Sequence, residues 1–320
     1  MKFRDLQLDT ATPITALLKD VTERVTKSGN STYCELTLCD GEQDISAKLW
    51  NTDKEKVLQK VEIPSVISGF ITSNLYQGNI TYQIANFGKA TGEVDMNDYI
   101  ITASAFSELP IDAEKMYKEI CQFLDLAANG NIHSVAMLVK TLYEENKEQL
   151  LYQGAAKKVH HDFKAGLLFH TYRMVRSAYR LCKDYRLDRE IMIAGTAVHD
   201  LGKLKELETD PLGVSEYTLD GSLFGHLLQG ILMLEDVASR YPGYDPEKLR
   251  HLEHIVASHH GKEKHGAIHP PMTKEAMMVH LIDKIDSQMN VFEKAYLHME
   301  PGEITEGKVF PLKSAVYKPY

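Results

Sequence analysis

Five short segments of this chain place imidazole or carboxylate among apolar residues. The sharpest is His199-Asp200, which ends the run Ile193-Ala194-Gly195-Thr196-Ala197-Val198 and is followed by Leu201-Gly202-Lys203. That run is small and apolar, so its helix should be buried. A buried imidazole beside a buried carboxylate is costly unless both are hydrogen-bonded or hold a cation. His170 lies in Gly166-Leu167-Leu168-Phe169-His170-Thr171, His226 in Phe224-Gly225-His226-Leu227-Leu228, and Asp283 in His280-Leu281-Ile282-Asp283-Lys284. His259-His260 closes a helix carrying Leu252, Ile255 and Val256, and His259 continues that face at i+3 and i+4, so it should point inward. One such histidine is ordinarily a satisfied core residue. Five segments in series are better explained by a shared divalent cation centre, and nitrogen and oxygen donors suit Mn, Fe, Co or Zn.

The histidines are unevenly placed. All 14 fall between His133 and His298. Of the others, His251, His254, His265, His269, His280 and His298 read as surface or structural residues, and His133 opens a helix remote from the series. The length of 320 residues suggests two domains with real cores, and 43% apolar with 25% charged residues is ordinary for a soluble globular protein. No stretch approaches the length of a membrane span, and the N-terminus leads into no apolar signal core. The net charge of −9 argues against a large nonspecific nucleic-acid coat, though a local basic groove is compatible with it. Cys34, Cys39, Cys121 and Cys182 form no C-x-x-C pair, so reduced thiols and a cytoplasmic location are expected. Cys34 and Cys39, five apart on one strand, should face opposite sides.

The elements that must position these residues fall into two groups. Alternation predicts strands over 21–25, 33–38 and 45–50, with an Asp40-Gly41 hairpin, then a short helix over 52–60. Strands over 65–73 and 76–84 should pair across a turn containing Asn74, with Gly78-Asn79 as a bulge or second turn. Three strands, a helix and two strands is the order of an OB-type barrel, and another small β-barrel is compatible with the same pattern. Further on, Asp112 should cap a helix presenting Met116, Ile120, Leu124 and Ala127, ended by Asn129-Gly130, and Asn131 should cap the next. Helices follow around 165–183, 189–201, 222–240, 246–260 and 273–297. Met277, Met278 and Met289 read as core filler. The expected organisation is a small all-β OB-type barrel (1–91), a linker (92–111), an all-α helical bundle (112–299) and a C-terminal tail (300–320).

The ordered series His170, His199-Asp200, His226, His259-His260, Asp283 resembles the longer, two-metal form of the HD-domain metal-dependent phosphohydrolases, over about residues 155–297. With a barrel ahead of it, Lys158-Val159-His160-His161 leading into Ala165-Gly166-Leu167-Leu168-Phe169-His170, then His259-His260-Gly261 and Pro270-Pro271-Met272-Thr273-Lys274-Glu275-Ala276, the chain is similar to the YhaM-type 3′-to-5′ exoribonucleases of Gram-positive bacteria. It departs from that pattern at Ala165, where a second glycine is expected.

The resemblance implies a divalent-metal centre, two ions with manganese the first expectation, acting on single-stranded RNA or single-stranded DNA. Asp200 would bridge the ions. His170, His199 and Asp283 would complete one site, and His226 with His259 the other, with His260 either a further ligand or a helix-end cap. Paired cations clamp a phosphodiester oxygen and acidify water. Lys203 would meet the phosphate, and His160 and His161 are weaker candidates for substrate contact. On the barrel, Tyr33, Trp50, Phe70, Tyr76 and Tyr82 are available to stack on bases, with Arg24, Lys27, Lys48 and Lys89 nearby. The products would be nucleoside 5′-monophosphates, and a homo-oligomer is expected. Two other classes stay open: an HD phosphohydrolase of small nucleotides using its barrel for assembly, and a non-catalytic nucleic-acid-binding protein with a structural metal.

Overall fold

A computed structural model describes residues 1–26, 31–76, 79–92, 94–106, 111–156, 161, 163–297 and 299–320. The chain divides into two compact units, Met1–Ala105 with Phe292–Tyr320, and Phe106–Val291. The strands of the first unit follow the expected order. Strands β1 (Thr12–Val25), β2 (Thr32–Cys39), β3 (Asp44–Trp50), β4 (Ser65–Tyr76) and β5 (Asn79–Lys89), with helix α1 (Lys54–Lys60) between β3 and β4, close a barrel in the order β1-β2-β3-β5-β4. The β3–β5 pairing is parallel and the others are antiparallel. This is the OB-like barrel expected from the strand pattern.

Period-two alternation carries the core. Ile14, Ala16, Leu18, Leu36, Leu38, Ile45, Ala47, Ile67, Ile71 and Ile84 point inward, and α1 adds Val57. Cys34 belongs to that core, whereas Cys39 is buried outside it, opposite Leu17 across the β1–β2 pair. Both thiols are free. Burial pushes the Cys39 thiol well up. At the β2–β3 hairpin the buried Asp40 carboxylate accepts from the backbone amides of Glu42 and Gln43 at 2.9 Å each and from Phe3 at 2.6 Å.

The expected turn at Asn74 is not there. β4 continues through Asn74, paired with Thr81, to Tyr76, paired with Asn79, because the Asn74 amide is satisfied within the strand by Asp9 Oδ1 at 2.8 Å. Gly78 lies outside the described residues. In the tail, isolated bridges join Ile304 to Tyr317 and Val309 to Ser314.

The second unit is built of α2 (Ala113–Ala128), α3 (Val135–Glu145), α4 (Lys147–Leu150), α5 (Gly166–Tyr185), α6 (Arg189–Val198), α7 (Lys203–Glu206), α8 (Leu219–Arg240), α9 (Pro246–Ser258) and α10 (Lys274–Tyr296), the last ending beyond its boundary. Asp112 caps α2 as expected, and Asn129 ends it in the left-handed region. The cap of α3 is Ser134 rather than Asn131, whose side chain instead takes the His133 amide at 3.0 Å. A short hairpin of β6 (Leu207–Thr209) and β7 (Ser215–Tyr217) interrupts the helices, and it went unpredicted since three-residue strands are too short to show a period. Met277 and Met289 are 44% and 41% exposed and are not core filler. Met277 lies across α10 from the buried Val279 and Ile282, and Met289 is exposed nearer the C-terminal end of the helix.

Between α8 and α9, burial first and then the Glu235 carboxylate push Glu253 up to about 7. An acid raised in the folded state favours folding below its unfolded pKa, and that contribution is lost as pH rises through 7. We expect the melting temperature to fall between about pH 5 and about pH 8 by more in the native chain than in Glu253→Gln. Equal slopes in thermal melts across that range would contradict this.

Candidate metal centre

Five helices or helix ends bring the histidine and aspartate series to one place. α6 is capped by Asp188 and buries Ile191 through Val198, so its C-terminal residue His199 and the following Asp200 arrive at the interior already buried. α5 buries His170 on the same face as Leu167 and Met174. His259 ends α9 beside Ile255 and Val256, pointing inward as its spacing implies. α8 bends at Gly225, whose φ of 67° no β-carbon-bearing residue adopts easily, and His226 follows the bend. Gly202 lets the backbone after His199-Asp200 pass against α8, where a Cβ would run into the His226 carbonyl. Ala165, just ahead of α5, holds a left-handed φ of 59°, the conformation that glycine takes most readily.

The Asp200 carboxylate divides two groups of side chains. Its Oδ2 lies 3.6 Å from His199 Nε2 and 3.8 Å from His170 Nε2, and 2.8 Å from Lys203 Nζ. Its Oδ1 lies 3.4 Å from His259 Nε2 and 3.5 Å from His226 Nε2. Asp283 Oδ1 completes the first group at 3.4 Å from His170 Nε2, and His260 Nε2 completes the second at 3.2 Å from His226 Nε2.

Each inward Nε2 is set by what its Nδ1 does. His199 Nδ1 donates to the Thr196 carbonyl at 2.7 Å and His259 Nδ1 to the Val256 carbonyl at 2.9 Å, so both Nε2 atoms carry lone pairs. His170 Nδ1 meets Asp286 Oδ2 at 2.8 Å, and His226 Nδ1 meets both Glu206 oxygens at 3.0 Å. Such partners orient metal-ligating imidazoles and raise their basicity.

The residues fit a cation. His170 Nε2 and His199 Nε2 are 3.3 Å apart, close to the separation of two nitrogens each about 2.1 Å from one ion. Asp200 Oδ1 is buried without a hydrogen-bond donor among the described residues, its neighbours being too distant for good hydrogen bonds. An unpaired buried carboxylate oxygen ringed by imidazole lone pairs is what a cation would satisfy.

The field is uneven. Burial opposes charge on His170, but Asp283 and Asp286 outweigh it and hold the imidazole up to about 9. Burial pushes His199 and His260 down to about 3. Burial would raise Asp200, yet Lys203 and the imidazoles hold it well below the usual carboxylate range, and Asp283 and Asp286 are likewise held low against burial by the histidines they face. Lys203 is itself held up by Asp200 against burial.

The remaining expected site residues lie in different surroundings. His161 is fully buried, its Nε2 2.8 Å from Asp286 Oδ2 and its amide bonded to Asn290 Oδ1 at 3.1 Å. It braces the back of His170, and its burial is at odds with the expected substrate contact. His160 lies outside the described residues, as do Lys27, Lys158, Val159 and His298. On the barrel, Tyr33 and Trp50 are cross-strand partners with ring centroids 4.8 Å apart, Trp50 is 43% exposed, and Lys48 Nζ lies 5.6 Å from the Trp50 ring centre. Phe70 and Tyr76 are 46% and 63% exposed. Tyr82 packs against the barrel core.

Reading the sequence missed Glu206, Asp286, Asn290 and Arg173. The signal was spacing: Asp286 and Asn290 stand at i+3 and i+7 from Asp283, Glu206 at i+3 from Lys203, and Arg173 at i+3 from His170.

A helical unit that gathers His, His-Asp, His, His-His and Asp around one carboxylate defines the HD class, and residues 167–288 match the HD domain family model. The chain is 33% identical over 308 residues to the 3′-5′ exoribonuclease YhaM of Bacillus subtilis strain 168, covering 95% of this chain and 93% of that protein. It is 34% identical over 310 residues to the YhaM of Geobacillus sp. strain WCH70, covering 95% and 90%. The chain belongs to the YhaM exoribonuclease family.

Glu206→Ala, which removes the carboxylate partner of the His226 imidazole, is expected to weaken manganese binding at the candidate centre by about 10–100-fold, measured by manganese titration of the chelator-stripped protein. Unchanged affinity would show that Glu206 does not orient that imidazole.

Proposed function

We propose that this chain is a 3′-to-5′ exoribonuclease that hydrolyses single-stranded RNA, and single-stranded DNA as a secondary substrate, to nucleoside 5′-monophosphates. The observation that carries the reading is the Asp200 carboxylate with one oxygen toward His170 and His199 and the other toward His226 and His259. Membership of a family whose curated members are named 3′-5′ exoribonucleases supports it.

In this reading His170, His199, Asp200 and Asp283 hold one cation, and Asp200, His226, His259 and His260 hold the other. Two divalent cations, manganese first, supply Lewis acidity that activates water and neutralises phosphate charge. Asp200 fixes the spacing of the two ligand sets by belonging to both. Asp286, braced by His161, and Glu206 keep the His170 and His226 rings turned inward. Lys203, paired with Asp200 in the free protein, shares its ammonium with the phosphate as negative charge develops there. Tyr33, Trp50 and Lys48 offer an aromatic and cationic patch for bases and backbone, and the exposed Phe70 and Tyr76 extend the choice. A cytoplasmic location fits the free cysteines. A homo-oligomer fits the exposed apolar row Leu223, Phe224, Leu228 and Leu232 on α8, and sedimentation measures it.

The test is a 5′-labelled single-stranded RNA incubated with manganese-loaded protein. A ladder shortening from the 3′ end is expected, and Asp200→Asn should lower turnover by about 10²-fold or more. Cleavage of small nucleotides alone, binding without products, or full turnover by an Asp200→Asn protein with full metal content would each overturn the reading.

A further inference from the structure

On the far side of Asp286 from the candidate metal centre lies a second concave site. A cavity of about 440 Å³ is lined by Arg173, Arg176 and Arg180 of α5 and by Ile282, Ile285 and Asp286 of α10. The three arginines stand at i, i+3 and i+7, so they form one stripe, and residues 173–180 contain no acid in a chain of net charge −9. Their counter-charge is incomplete. Arg173 Nε is bound to Asp286 Oδ1 at 2.7 Å, while Arg176 donates to the Tyr172 hydroxyl at 2.7 Å. Among the described residues no carboxylate pairs with Arg176 or Arg180. The first two guanidinium groups are also held in place, Arg173 at 5.3 Å from the Phe169 ring centre and Arg176 at 5.0 Å from that of Tyr172.

We infer that this cavity is a nucleotide-binding subsite, in which Arg176 and Arg180 take a phosphate and the isoleucine side chains of α10 support the sugar or base. Guanidinium forks match phosphate oxygens bidentately, and stacking on tyrosine orients one fork before the ligand arrives. The volume is that of a small-molecule site, and its mix of apolar wall with a few convergent polar groups is what such sites use. The one carboxylate in the wall, Asp286, already accepts from Arg173, His161 and His170, so its repulsion of an anion is largely compensated. The same contacts connect the subsite to the centre: Asp286 bonds Arg173 on one oxygen and His170 on the other. The phosphate has two sources, a residue of the RNA strand away from its cleaved end or a free nucleotide. The strand source rests on the exoribonuclease reading, and the free-nucleotide source does not.

The test uses the full-length, metal-loaded protein and Arg176→Ala/Arg180→Ala, with Arg173 left in place because it braces Asp286. Arg180→Ala alone serves as the second variant, since that side chain is exposed and its loss should leave folding intact. Calorimetry with adenosine 5′-monophosphate reads the free-nucleotide source. Anisotropy of a short single-stranded RNA with phosphorothioate linkages at its 3′ end, over a salt series, reads the strand source. Weakening of about tenfold or more in the first assay assigns the pocket to a free nucleotide. The same loss in the second, with the log–log salt slope reduced by about 1.4, two single-strand phosphate contacts at about 0.7 each, assigns it to the strand. Native affinity for both probes in the double variant, or no binding of either probe by the native chain, would overturn the inference. The 3′ ladder assay on the native chain reports separately on the exoribonuclease reading.

Discussion

The Asp200 carboxylate is buried and ionised, and the helical unit is arranged around the consequences. A buried carboxylate loses its hydration and is tolerated only where positive charge or good donors replace it. Lys203 supplies one such charge to Oδ2, three residues along the chain. Oδ1 has no equivalent among the described residues, and the nearest imidazole nitrogens, of His259 and His226, stand at 3.4 and 3.5 Å from it. Four helices beyond α6 must converge within a few ångströms of this group, which explains the bend at Gly225 and the close passage at Gly202. At Gly202 a side chain would push these segments apart, whereas at Gly225 it is the positive φ that calls for glycine.

A second layer fixes the first. The imidazoles that face Asp200 have their Nδ1 atoms engaged, two by backbone carbonyls of their own helix and two by carboxylates from other elements. The distinction is physical. His199 and His259 sit at helix ends, where carbonyls are left without intrahelical partners and an adjacent ring can reach one. His170 lies within the first turns of a long helix and His226 just past a bend, so their ring partners must come from α10 and α7. Asp286 serves two imidazoles and an arginine at once, which makes it the joint between the centre and the arginine-lined face of α5.

Much of this was legible from residue types and spacing. The barrel order followed from alternation, and the Asp112 and Asn129 boundaries of α2 from capping chemistry. The ligand series stood out because imidazole and carboxylate recur among apolar helical residues. What escaped was decided by partners distant in sequence. Asn74 looked like a turn residue but is satisfied inside its strand by Asp9. Asn131 looked like a cap, yet Ser134 is nearer the first turn of α3. Tyr82 shares its composition with the exposed aromatics but packs on the core, and Met277 and Met289 face outward, because a helix or strand face is assigned by what packs on it.

The sequence by itself determined which donors exist, that they sit on buried helix faces, and that they follow an order shared with a known family. It could do so because i+3 and i+4 spacing is a local property of a helix. The tertiary structure alone decided which Asp200 oxygen faces which imidazoles, that Glu206 and Asp286 orient His226 and His170, and that His161 lies behind the centre. Those relations join residues as far apart as His170 and Asp286, separated by 116 positions, and no local period encodes a contact that depends on how helices pack.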